Sequence, residues 1–318
     1  MRKLSVLAVA LMTLFTCTEA SALTLEKIKF GDFSNWVTRN ITESKVIGGK
    51  KKTIYAIGPT RTINGNTAYS NGSSPWASSN VYAKVSGVTK ASNTVEPAIV
   101  NGNKMAKLYT KIEEVKVLGL INMDVMVTGT IFLGKVREPI SSTKSPYSKM
   151  EMGMPYTKRP KALVFDYKVD MPNVKTRTKA TGFGSKKTIQ GRDQAEVYVL
   201  LQKRWEDAKG NIHAQRVGTG RERYNRSIPL TKGHQLTIHY GDITKTSYYK
   251  PYMALLNGAK AYYAYNSKGK LVPVQEEGWA PANATPTHVL VMASTTCGEA
   301  FVGTEGITMY IDNVAFGF

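Results

Sequence analysis

Alternation of apolar and polar residues with a period of two is the strongest pattern in this chain. No stretch keeps the 3.6-residue period of an amphipathic helix for a useful length. Successive side chains of a strand point to opposite faces of a sheet, so each alternating segment predicts a strand with one buried face. Five segments in the second half carry the pattern: Leu163, Phe165, Tyr167 and Val169; Val197, Val199 and Leu201; Leu236, Ile238 and Tyr240; Val289 and Val291; Ile307, Met309 and Ile311.

Turn signals separate these segments. They stand at Asn64-Gly65, Asn71-Gly72, Asn101-Gly102, Lys209-Gly210-Asn211, Asn257-Gly258 and Lys268-Gly269. Many short strands between such turns predict an all-β sandwich or jelly roll. We expect under about one-tenth of the residues in helix, well below the usual one-third. No linker and no internal repeat divides the chain, which predicts a single domain.

The N-terminus predicts export. Arg2 and Lys3 precede an apolar run from Leu4 to Phe15, and Ala20-Ser21-Ala22 offers a cleavage site for small residues. These are the parts of a signal peptide over residues 1–22, followed by a mature chain over residues 23–318. The expected location is the periplasm, the outer-membrane surface or the extracellular space. Cys17 leaves a lipid anchor as the alternative, and only that alternative would bring the protein to a membrane.

Cys297 is the only thiol of the mature chain, so no internal disulfide is possible. Its apolar surroundings predict a small buried side chain rather than a nucleophile. The four histidines, His213, His234, His239 and His288, show no zinc spacing, and no Ser-His-Asp signature or phosphate-binding loop is present. The sequence therefore predicts no required cofactor.

Charge indicates the class of partner. The chain holds 43 Lys and Arg against 23 Asp and Glu, a net charge of +20. Such a field attracts polyanions and anionic surfaces without identifying them. A polysaccharide or glycan fits, with anionic glycans among the candidates. Specific nucleic-acid binding is not expected, because no motif for it is present.

Candidate sugar-binding residues lie in two unusual zones. Sugars are bound by aromatic faces and by planar polar side chains. Trp76, Asn80 and Asn93 combine both in residues 64–103, a polar segment that we interpret as a long surface loop; the alternative is that Trp76 plugs the sandwich edge. Trp279 follows a tyrosine-rich zone, and its exposure is left open. Trp205 follows the strand alternation and is predicted to be a core residue.

Catalytic carboxylates have only weak candidates. Glycoside hydrolysis usually needs two carboxylates about 5 to 10 Å apart. Adjacent acids on one strand face opposite ways, which makes Glu206/Asp207 and Glu276/Glu277 poor pairs. A cross-strand pair of Glu222 with Glu276 is the remaining option, against a solvated role for each acid.

Ordered blocks of the chain resemble a known family. They are residues 74–80, 92–97, 102–108, 129–134, 152–160 and 294–314. In this order they resemble the putative carbohydrate metabolism domain family of exported proteins from Gram-negative gut-type bacteria. Thr296-Cys297-Gly298-Glu299 departs from the family's pattern, which usually has Ser-Ser-x-x-Gly-Asp there.

The resemblance implies a jelly-roll β-sandwich similar to carbohydrate-binding modules. Sandwiches of that kind often hold a structural calcium beside the final strand, which implies Asp312, with Asp32, as its ligands; alternatively, Asp312 caps the turn before Asn313. The leading functional prediction is a non-catalytic glycan-binding or glycan-handling protein. The alternatives are a glycoside hydrolase or lyase on the same fold, and a surface adhesin or structural protein.

Overall fold

The computed structural model describes residues 22–85, 87–117, 121–142, 144–182 and 184–318. Nearly all regular structure is strand, with 55% of the described residues in strands and 4% in short 3-10 segments. The prediction of an all-β protein with little helix is thereby confirmed. The signal peptide predicted over residues 1–22 lies outside the described residues except for Ala22, and so does Cys17.

Among the described residues, fourteen strands lie between residues 25 and 155. They are β1 (Leu25–Lys27), β2 (Trp36–Thr42), β3 (Lys51–Ile57), β4 (Arg61–Asn64), β5 (Trp76–Ser78), β6 (Val81–Val85), β7 (Val88–Ser92), β8 (Val95–Val100), β9 (Asn103–Tyr109), β10 (Lys111–Val117), β11 (Ile121–Val127), β12 (Thr130–Val136), β13 (Met150–Met152) and β14 (Met154–Pro155). Two 3-10 segments accompany them, η1 (Lys45–Ile47) and η2 (Pro146–Lys149).

Thirteen strands follow. They are β15 (Ala162–Asp170), β16 (Thr176–Lys179), β17 (Thr181–Gly182), β18 (Lys187–Gln190), β19 (Ala195–Glu206), β20 (Ile212–Tyr224), β21 (Ile228–Thr237), β22 (His239–Tyr240), β23 (Tyr263–Tyr265), β24 (Leu271–Trp279), β25 (His288–Ser294), β26 (Val302–Gly303) and β27 (Thr308–Gly317). The remaining 3-10 segments are η3 (Pro251–Met253) and η4 (Gly258–Lys260). The predicted turn glycines Gly65, Gly72, Gly102, Gly210, Gly258 and Gly269 all have positive φ.

Two large sheets form a sandwich. One runs β21-β15-β27-β9-β8 with β1 on β27, and the other runs β13-β12-β25-β19-β20-β24-β23 with β5, β14 and β22 attached. Within them the chain alternates between β9-β27-β15-β21 and β12-β25-β19-β20, which is the strand order of a jelly roll. One core cluster joins the sheets and holds most of the alternating residues predicted to be buried, among them Leu163, Phe165, Val197, Val199, Leu201, Val291 and Ile311.

The segment over residues 64–103 is not the long surface loop predicted from its polar composition. It contains β5 to β8, and β5 pairs with β12 inside the large sheet. β6 and β7 form a hairpin that, with β2 and β3, encloses a small second core of Ile41, Ile54, Tyr82 and Ala91. These strands lack the apolar alternation that predicts a strand, because several of their buried side chains are Ser, Thr and Asn that hydrogen-bond to neighbouring backbone.

Across the described ranges, no helix has the length and apolar character needed to cross a bilayer.

Candidate carbohydrate-binding site

Trp76 belongs to the core, so its prediction as a sugar platform is wrong. Its side chain is 2% exposed. The indole Nε1 donates to the carbonyl oxygen of Lys29 at 3.0 Å, and the ring meets Phe33 edge-on with centroids 5.3 Å apart. A ring enclosed in this way has no free face for a sugar. The alternative that Trp76 plugs the edge of the sandwich is the one that fits.

Asn80 is equally unavailable, because its hydrogen-bonding capacity is used within the protein. Its Nδ2 donates to the carbonyl oxygens of Tyr55 and Val95, and its Oδ1 accepts from the backbone N–H groups of Thr94 and Val95. Asn93 lies nearby and accepts from the N–H of Tyr55 at 3.3 Å. Buried Asn80 holds strands together, which corrects its prediction as a sugar ligand, whereas half-buried Asn93 stays a prediction.

Trp279, unlike Trp76 and Asn80, is only half-buried, and it lines an open groove of about 650 Å³. The segment that carries η3 and η4 forms one wall of the groove with Leu255, Asn257 and Lys260, and Thr244 and Tyr249 also line it. That wall is fixed to β24 because the N–H of Glu276 donates to the carbonyl oxygen of Leu256 at 3.1 Å. The tyrosine-rich zone and Trp279 therefore meet in one concave surface with aromatic, amide and ammonium groups.

A buried ion pair between Glu276 and Arg216 lies next to this groove. The carboxylate of Glu276 is 0% exposed, and it accepts from Gln202 Nε2 at 2.5 Å, Arg216 Nε at 2.6 Å and the N–H of Leu256 at 2.6 Å. The guanidinium of Arg216 lies 5.6 Å from the centroid of the Trp279 ring. Glu276 thus positions Arg216 and the groove wall. A carboxylate enclosed in this way cannot reach a substrate, so Glu276 is wrong as a catalytic candidate.

Glu222 does not complete a catalytic pair. It lies on β20 opposite Val197, on the face of the sheet that turns to the core, whereas Glu276 contacts Gln202 on the other face. Glu222 accepts from Tyr224 Oη at 3.0 Å and pairs with His234 Nε2 at 2.7 Å. The predicted cross-strand pair is therefore wrong, because the sheet separates the two carboxylates.

Trp205, predicted to be in the core, is 43% exposed, more than any other tryptophan of the chain. Its ring stacks on His213 with centroids 5.5 Å apart and an interplanar angle of 17°. His213 Nδ1 contacts Glu277 at 2.5 Å and its Nε2 contacts Asp207 at 3.3 Å. Hydrogen bonds to Glu277, and then to Asp207, raise the pKa of His213 above its usual value. Trp205 stands between the charged residues Lys203, Arg204, Glu206 and Asp207, and this run of charges was the sequence signal that this end of the strand is solvated.

Cys297 is buried, as predicted. Burial raises the pKa of its thiol to about 11, with the Arg223 guanidinium opposing the shift. Because the thiolate is the nucleophile, this thiol is unreactive at neutral pH.

Asp312 is placed among acidic neighbours. Burial raises its pKa to about 6, and the nearby carboxylates of Asp166 and Asp32 add to the shift. Its Oδ1 is buried and has no hydrogen-bond partner. Even so, no group of three acidic, histidine or cysteine side chains in the described residues is arranged to hold a metal ion. Calcium at Asp312 and Asp32 stays a prediction.

We expect Asp312→Asn to stabilise the protein at pH 7 by roughly 1–3 kcal/mol. The folded state holds its proton up to about pH 6 and the unfolded state only to about 3.8, so the contribution of Asp312 to stability is present below pH 4 and is lost as pH rises through 6. Urea unfolding at pH 4 and pH 7 measures the difference. A calcium-induced rise in Tm of the wild type, absent in the variant, would support the predicted ion.

The structure defines a β-sandwich protein that carries an aromatic groove on one face of its larger sheet. The family of the putative carbohydrate metabolism domain matches residues 51–316, and this chain belongs to that family. The family predicted from the sequence is thereby confirmed, and with it a carbohydrate-related domain.

Two solved structures are weakly similar to this chain. A putative glycoside hydrolase from Bacteroides thetaiotaomicron is 16% identical with a TM-score of 0.44, over 85% of this chain and 75% of that one. A putative glycoside hydrolase from Bacteroides vulgatus is 12% identical with a TM-score of 0.42, over 92% of this chain and 94% of that one. No curated protein matches this chain.

Proposed function

We propose that this protein is exported and binds carbohydrate without cleaving it, and that the Trp279 groove is its binding site. One observation carries the proposal: an indole, a phenol, an amide and an ammonium group line a single concave surface. Aromatic faces cover the C–H face of a sugar ring, and amides bridge its hydroxyls. The family supplies the class of ligand, and the basic signal-like N-terminus supports export.

Binding is favoured over hydrolysis by what lines the groove. None of its lining residues carries a carboxylate. The acid nearest in sequence to Trp279 that points to this side of the sheet is Glu276, whose oxygens are bound by Arg216, Gln202 and Leu256. Retaining and inverting glycosidases both need two carboxylates at the scissile bond. The lining of the groove therefore lacks the carboxylate pair that such a glycosidase would use.

Lys260 gives the groove a preference in charge. Its exposed side chain lines the groove together with Trp279, in a chain with a net charge of +20. An anionic sugar, such as a uronate or a sulfated residue, would pair with it and be drawn in by the overall field. We therefore propose acidic glycans as the better ligands of this groove.

Trp279→Ala is expected to weaken binding to the best acidic glycan on a glycan array by at least tenfold, because the stacking face is lost. A tenfold loss corresponds to about 1.4 kcal/mol, and an aromatic ring contact contributes about 0.5–1.5 kcal/mol beyond the area that it buries. Lys260→Ala is expected to reduce the preference for acidic over neutral glycans. Ile99→Ala, a truncation of a side chain that is 69% exposed, is the control and should bind like the wild type.

Two results would contradict the proposal. Wild-type affinity in a folded Trp279→Ala protein would remove the groove from glycan binding. Release of shorter products from a bound glycan by the wild type would replace binding with hydrolysis or lyase activity.

A further inference from the structure

A second surface carries an unassigned arrangement of side chains, on the opposite face of the strands that hold Trp279. Strand β19 continues to Glu206, but no residue of the core cluster lies on it beyond Leu201. The opposing sheet does not cover this end, so the core-side face of β19 and β20 emerges into solvent. We call the residues of this face the Trp205 platform: exposed Lys203, Trp205 and Glu277, with half-buried His213 and Gln215.

Strand register places these side chains together. Trp205 pairs with His213 and Lys203 pairs with Gln215 across β19 and β20, so all four share one face. Glu277 reaches the same place from β24, at a register shift between the pairs of Ala214 and Gln215. A bulge of this kind re-aims a side chain, and here it brings the Glu277 carboxylate to 2.5 Å from His213 Nδ1.

The orientation of the Trp205 ring is fixed by its neighbours before any ligand binds. One of its faces stacks on His213, and the imidazole is fixed on both nitrogens by Glu277 and Asp207. The other face contributes to the 43% exposure of the residue. Because a ring already fixed loses little freedom on binding, this arrangement favours affinity for a flat ligand surface.

Unused polar groups surround that ring. Among the described residues, the side chains of Lys203 and Gln215 and the indole Nε1 of Trp205 make no hydrogen bond, and Glu277 uses only Oε1. They supply an ammonium, an amide, an indole N–H and a carboxylate oxygen around one aromatic face. Hydroxyl groups both donate and accept, so this mixture matches a polyhydroxylated ring.

The charges of the platform favour an uncharged ligand. The carboxylates of Glu277 and Asp207 both contact His213 on this surface, and they would repel a uronate or a sulfate. A protein partner fits less well, since a stable interface buries about 800 Å² per partner around an apolar centre. Trp205 is the only large apolar side chain exposed on the platform.

We propose that the Trp205 platform is a second carbohydrate-binding site, specific for a neutral sugar residue and separate from the Trp279 groove. The inference rests on the proposed function, that the protein binds carbohydrate. With one site on each face of the same strands, a glycan that reaches both would gain avidity from the second contact.

Trp205→Ala tests the proposal on an array of neutral and acidic glycans. We expect at least a tenfold loss of binding to the neutral glycans that the wild type holds, with acidic binding kept. Trp279→Ala should show the reverse pattern, and the double variant should lose both. Trp205→Phe should recover part of the neutral binding, and Glu277→Gln should weaken it while the ring remains.

Fluorescence gives a readout that depends on this one tryptophan. Titration with a neutral polysaccharide that the array identifies should shift the emission of the wild type to the blue, and Trp205→Phe should lose that shift. Unchanged neutral binding in Trp205→Ala would overturn the second site, while the proposed function would stand if Trp279→Ala still lost acidic binding. A wild type that binds no glycan would overturn both, and specific capture of a protein through Trp205 would assign the platform to a protein partner.

Discussion

Glu276→Ala is expected to lower the free energy of unfolding by about 3–5 kcal/mol, which is a large part of the stability of an ordinary domain. The change leaves the Arg216 guanidinium, 1% exposed, buried without its counter-charge. It also removes the acceptor for Gln202 Nε2 and for the N–H of Leu256, so the groove wall loses its anchor. Urea unfolding followed by tryptophan fluorescence measures the effect.

The neighbouring residue supplies a matched control. Glu277→Ala removes the same group one position along β24, but from a side chain that is 51% exposed, and should change stability by under about 0.5 kcal/mol. Equal stability of the two variants would contradict the structural role of Glu276. Glycan binding by Glu276→Ala should fall with the loss of the wall, even at temperatures where the variant is folded.

The strands of the sandwich were predictable because their physics is local. Alternation in Leu163, Phe165 and Tyr167 is imposed by the pleat of a strand with one buried face, and these residues pack in the core. The turn glycines were predictable for the same reason, because positive φ is a property of single residues. The family followed from ordered motifs that the match over residues 51–316 supports.

The sites were less predictable because exposure is decided by distant parts of the chain. Trp205 obeys the same alternation as Leu201, yet it is exposed since the opposing sheet ends before it. Glu276 and Glu277 are adjacent in sequence, but one is closed in by Arg216 and the other faces solvent. Only the sheet order, with β24 beside β20, determines which side each carboxylate takes.

Trp76→Ala is expected to destabilise the protein by about 3–5 kcal/mol and to leave glycan specificity unchanged. The indole fills the space beside Phe33 at the junction of β5 with β12, and its removal opens a cavity there. The carbonyl oxygen of Lys29 also loses its donor. Thermal unfolding and the glycan array, run on the same preparation, measure both quantities.

Trp205→Ala is the matched comparison for Trp76→Ala. Both changes remove an indole from a strand of the same sheet, but Trp205 is 43% exposed and Trp76 is 2% exposed. Trp76→Ala should therefore lower the free energy of unfolding and Trp205→Ala should lower glycan affinity, because a buried ring stabilises the fold and an exposed ring stabilises a complex. A Trp76→Ala protein with the Tm of the wild type and no glycan binding would reverse that assignment. It would return the sugar site to the segment over residues 64–103, where the polar composition first placed it.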